Sequence, residues 1–112
     1  MDDEHQGSMV TPLDLAVNGP PTHPSVTVRG EIDVATSPRL RTELMNLIAG
    51  GATEITLLFD GVSFVDSSGL GVLVGAYRRL RDGGGKIRIV GAQPSVRKVF
   101  EITGLESALL RD

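Results

Sequence analysis

The sequence predicts a single α/β domain, a mixed and mostly parallel β-sheet with helices packed on it, in the order β-β-α-β-α-β-α-β. Three observations carry this prediction. Short apolar or alternating runs are interleaved with longer segments of helical period. The first two runs are joined only by Asn18–Pro24, a turn-rich stretch with three prolines, so they form an antiparallel hairpin. Every later strand is preceded by a helix, the pattern of parallel crossovers.

Each element has its own signal. Leu13, Leu15 and Val17 alternate with polar residues as a first strand, and Val26 and Val28 as a second. Gly30–Ala35 is expected as a loop. Ser37 followed by Pro38 predicts a helix start, a capping hydroxyl and then proline in the first turn. Leu40, Leu44, Leu47 and Ile48 form one face of that helix, which Gly50–Gly51 ends. Ile55–Phe59 is dense enough for a central strand buried on both faces. Asp60-Gly61 is a turn signal, after which Phe64 and Val65 return towards the core. The second helix is expected from about Ser68 to Arg81, with Leu70, Leu73, Val74, Tyr77 and Leu80 as its apolar stripe. Ile87–Val90 is a further strand. Pro94 opens a third helix with Val96, Val99, Phe100 and Ile102 on its apolar side, closed at Gly104, and Leu109–Leu110 fall in a last short strand.

The totals narrow the function. The chain has 112 residues, one domain's worth, and its 40% hydrophobic content supports a core without staples. Residues 1–10 are expected as a loose acidic tail and 11–112 as the domain. With no cysteine there is no disulfide and no thiol chemistry, which fits a reducing cytosol. A net charge of -3, no Trp and one Tyr give no basis for direct nucleic-acid binding. No apolar run approaches the roughly 20 residues of a membrane span.

The most informative segment is Phe64–Gly75, FVDSSGLGVLVG. Ser67 and Ser68 follow an acid, Asp66, and precede a glycine at the mouth of a helix. A helix start offers unpaired N–H groups and the positive end of the dipole. Two readings follow: one serine caps the helix, or a serine accepts phosphate, adding about -1.5 to -2 charge. Gly69, Gly71 and Gly75 admit either close packing on the sheet or a bare face for a partner. They do not form a dinucleotide fingerprint, because position 74 is valine. Asp82–Lys86 precedes a strand and is a turn, not a phosphate loop. His5 and His23 have no metal-ligand spacing, no Ser-His-Asp set is present, and neither a cofactor nor a catalytic residue is expected. Glu31 and Asp33, in the loop before the first helix, are either solvated or border the same surface as Ser67.

Taken together, Gly30-Glu-Ile-Asp33, Asp66-Ser-Ser-Gly-Leu-Gly71 and Ile102-Thr-Gly-Leu105 closely resemble the bacterial anti-sigma factor antagonists of the STAS domain family, over about Leu13 to Leu110. The resemblance implies the STAS fold, a cytoplasmic protein that is a monomer or weak dimer, and partner switching in place of catalysis. It implies that the unphosphorylated protein binds an anti-sigma factor, itself a serine kinase, and so frees a sigma factor. The kinase would phosphorylate Ser67, and a serine phosphatase would reset it. Glu31, Asp33, Asp66, Ser68, Gly69 and Gly71 would line the docking surface. The family commonly continues past the last strand into a helix, whereas this sequence stops at Asp112. Related domains also serve as constitutive scaffolds in stress-sensing or membrane transport complexes, a second reading that the intact Asp66-Ser67-Ser68 motif disfavours.

Overall fold

Five strands form one sheet in the spatial order β1-β2-β3-β4-β5: Asp14–Asn18, Ser25–Ile32, Glu54–Val65, Lys86–Val90 and Leu110–Arg111. The helices are α1 (Ser37–Ala49), α2 (Ser67–Asp82), α3 (Pro94–Ile102) and α4 (Glu106–Leu109). This computed structural model describes residues 13–111. The tail expected over residues 1–10 lies outside them. β1 pairs antiparallel with β2, and the other three pairings are parallel.

Spatial order follows sequence order, so crossovers of the usual right hand carry the helices to one face. The burial alternation agrees. Val26, Val28, Ile55, Leu57, Phe59, Ile87 and Ile89 are buried in the core. Their neighbours Thr27, Thr56 and Leu58 are only half-buried, and Arg29 and Arg88 are exposed. The expectation that Ile55–Phe59 is buried on both faces is therefore corrected: helices cover one side only. On that side α1 packs against α2, and Leu40, Leu44, Leu73, Ala76, Val96 and Phe100 close the core.

Several boundaries move. β2 continues through Ile32, so Gly30 and Glu31 belong to a strand and the loop is shorter than expected. Asp60-Gly61 makes no turn, because β3 runs unbroken for 12 residues. A turn there needs a following strand to fold back on, and β3 instead lies beside parallel partners. The extra residues are taken up by two register shifts against β2, both on the β3 side. A Cβ on Gly61 would stand 2.7 Å from Arg29 Cγ, so the Arg29 side chain lies over the bare backbone. Asp60 is anchored as well, its carbonyl accepting a hydrogen bond from Gln93 Nε2 at 2.9 Å. In α1 the cap position is Thr36, and Ser37 is buried as the first helical residue. In α2 Val74 is partly exposed and Ala76 takes its place in the core. Ile102 is exposed, beyond the last turn that α3 packs, and the short α4 before β5 was not signalled.

Leu57 is fully buried in the middle of the sheet. Leu57→Ala is expected to cost ~2–5 kcal/mol through lost transfer and cavity terms. Urea unfolding checks this, and a loss well under ~1 kcal/mol would contradict the assigned core.

Candidate functional site

The parallel strands β2 and β3 end side by side, with Glu31 opposite Phe64 and Ile32 opposite Val65. The chain ends are stitched by Asp66 N–H donating to Ile32 O at 3.1 Å. Helices α1 and α2 both start at this end of the sheet, where ligands and partners of open α/β sheets commonly meet them.

Asp66 is the cap of α2. Its Oδ1 accepts hydrogen bonds from the N–H groups of Ser68 at 2.8 Å and Gly69 at 3.2 Å. Leu70 N–H already donates to Asp66 O at 3.0 Å. Neither serine therefore caps the helix, which decides that alternative. Ser67 occupies the first helical position and is exposed, and Ser68 is half-buried behind it. The N–H groups that would cradle an anion are largely taken by the carboxylate. A phosphate on Ser67 would thus stay in solvent beside a second negative group, and would not be drawn into the helix mouth.

The acids of the β2–α1 loop divide. Asp33 Oδ1 accepts from the N–H groups of Ala35 at 2.9 Å and Thr36 at 3.0 Å, and the Asp33 carbonyl accepts from Ser37 N–H at 2.8 Å. The Thr36 hydroxyl donates to Glu31 O at 2.6 Å. Asp33 holds the turn into α1, whereas the Glu31 side chain is exposed. Two apolar side chains stand out near them, Phe64 at 45% exposure and Val34 at 75%. Phe64 does not return to the core as expected: it shares the open sheet face with its register partner Glu31, and Val65 takes the inward position. Neither Phe64 nor Val34 was singled out as a surface residue: Phe64 lies past bulges that spacing does not reveal, and Val34 lies in the loop between β2 and α1.

The three glycines also divide. A Cβ on Gly69 would stand 2.6 Å from Ile32 Cγ2 and 3.0 Å from Val65 Cγ1, so Gly69 lets α2 sit tightly on the ends of β2 and β3. Gly71 and Gly75 have nothing within 4 Å of the same point. They form one wall of a groove of about 940 Å³ between α1 and α2, which also meets Ser68, Val72, Met45, Arg41 and Arg79. Close packing thus accounts for Gly69, and a bare helix face for the other two. Among the described residues no group of acids and histidines is placed to hold a metal ion, and no helix is long and apolar enough to cross a membrane.

The STAS domain profile matches residues 14–110. The anti-sigma-B factor antagonist of Bacillus subtilis strain 168 is 36% identical over 84 residues, covering 75% of this chain and 76% of the relative. Among solved structures, the unphosphorylated anti-sigma factor antagonist SpoIIAA has a TM-score of 0.78 at 27% identity, over 88% of this chain and 89% of that one. The phosphorylated form of SpoIIAA, the Bacillus cell fate determinant, gives 0.70 at 25% identity over 88% and 92%.

The glycine contrast is directly testable. Gly69→Ala is expected to destabilise by ~1–3 kcal/mol through overpacking, net of the helix-propensity gain. Gly71→Ala and Gly75→Ala are each expected to stabilise by ~0.5–1 kcal/mol. Denaturant unfolding of the three variants measures the difference, and a common sign for all three would contradict the packing described.

Proposed function

The chain belongs to the STAS domain family, and from that membership we propose that it is an anti-sigma factor antagonist, a regulatory binding protein that works by partner switching. In its unphosphorylated state it binds an anti-sigma factor that is also a serine kinase, and so releases a sigma factor for transcription. The kinase transfers phosphate to Ser67, binding is lost, and a serine phosphatase restores the starting state. The protein acts in the cytoplasm as a monomer or weak dimer.

One observation carries this reading above the others. Ser67 is exposed at the head of α2 while Asp66, not a serine, satisfies the N–H groups of Ser68 and Gly69. The hydroxyl has no structural duty there, so modifying it costs the fold little. The added charge lies next to the Asp66 carboxylate on the surface where a partner would dock. Burying an uncompensated charge in an interface costs several kcal/mol, which is ample to expel that partner. Around Ser67 the proposed docking surface comprises Glu31, Ser68 and Gly71, with Phe64 and Val34 as apolar contacts. Asp33, Asp66 and Gly69 shape it from beneath.

Ser67→Asp is expected to weaken binding to the anti-sigma factor kinase by about tenfold or more, the equivalent of ~1.4 kcal/mol, with the far-ultraviolet circular dichroism unchanged. Ser67→Ala is expected to bind normally and accept no phosphate from kinase and ATP. Calorimetric titration and intact mass measure the two effects. Full phosphorylation of Ser67→Ala, or undiminished binding by Ser67→Asp, would contradict the reading.

A further inference from the structure

At the opposite end of the sheet from Ser67, a cleft of about 350 Å³ opens beside the start of β4, lined by Tyr77, Arg81, Lys86, Arg88, Ser107 and Arg111 among others. Four of its lining residues are cationic and none of the described ones is a carboxylate, although the chain as a whole carries -3. Lys86 and Arg88 alternate with the buried Ile87 and so lie towards the open face of the sheet, whereas Arg81 comes from α2 on the other side. The cations are partly held in place. Arg81 lies 5.4 Å from the centre of the Tyr77 ring, with Asp82 3.8 Å away as its counter-charge. Arg88 Nε donates to Thr56 Oγ1 at 3.2 Å, and Arg111 Nη1 donates to Leu110 O at 2.7 Å. A guanidinium has five N–H donors, so each arginine keeps several for a ligand.

The backbone adds a further donor. β5 pairs only with Ile89 and Val90, which leaves β4 an open edge from Lys86 to Arg88. Lys86 N–H points the other way, to Thr53 O at 2.9 Å. By the alternation of a parallel ladder, Ile87 N–H is then directed outward at that edge. The Ile87 side chain is buried in the core, so its main chain is what meets the cleft.

We propose that this cleft is a binding site for a compact polyanion bearing two or more phosphate groups. Lys86 and Arg88 stand on one side of β4 with Arg111 on the neighbouring β5, and a bound anion would offset their mutual repulsion. Arginine forks with a neighbouring main-chain N–H suit phosphate oxygens. A volume of about 350 Å³ is the size of a small molecule. Because the site stands apart from Ser67, it does not depend on the kinase reading.

The test is titration of the full chain with inorganic pyrophosphate at constant ionic strength, followed by calorimetry and amide NMR. One saturable site is expected, with shifts centred on Ile87, Ser107 and Tyr77. Lys86→Gln combined with Arg111→Gln, both exposed in the free protein, is expected to lower the affinity at least about tenfold while the NMR spectrum elsewhere stays folded. Ser67→Ala is expected to bind pyrophosphate as the parent does. Shifts spread equally over Arg41, Arg78 and Arg79 would overturn the proposal, as would unchanged affinity in the double variant. Equal or tighter binding of an acidic peptide would also overturn it, assigning the cleft to a protein segment.

Discussion

Asp66 ties the end of the sheet to the start of α2, and the exposure of Ser67 depends on it. Its N–H bonds to Ile32 O and its carboxylate holds the N–H groups of Ser68 and Gly69. An aspartate cap is worth roughly 0.5–2 kcal/mol to a helix. Its larger consequence is a division of labour. The acid satisfies the helix, so the hydroxyl beside it is left without a structural role. Gly69 completes the junction, because only a residue without Cβ lets the first turn of α2 rest on Ile32 and Val65.

The same economy governs the rest of the surface. A sheet whose strands follow one another in sequence order receives its crossover helices on one face, which leaves the other partly open. Polar and charged residues such as Thr27, Arg29 and Arg88 populate that open face. The acidic and apolar features, Glu31, Phe64 and Val34, collect where β2 and β3 end, and the cationic cleft lies where β4 begins. The fold thereby separates two chemically unlike surfaces by the length of its strands.

The fold class, the initial hairpin and the helix–strand alternation were legible in the sequence because each rests on a local pattern. So was the placement of Ser67 at a helix start. Which residue caps that helix was not, since aspartate and serine are both good caps and only geometry shows which one bends back. Asp60-Gly61 misled because turn chemistry is a local signal, while continuation of β3 is decided by parallel neighbours far away in sequence. Phe64 was misplaced for a related reason: each register shift inverts the parity by which a strand residue faces in or out, the second restores what the first inverted, and sequence spacing shows neither. The basic cleft assembles residues from 77 to 111 around a strand edge, and no spacing rule announces it.

The account stands on Ser67 being the residue that changes state. The measurement that tests this most directly is intact mass with tandem site mapping of the protein isolated from its native host, during growth and under stress, with phosphatases inhibited. The account predicts a single phosphate on Ser67 whose occupancy changes with condition. Phosphate confined to Ser68, or its absence in every condition, would contradict it.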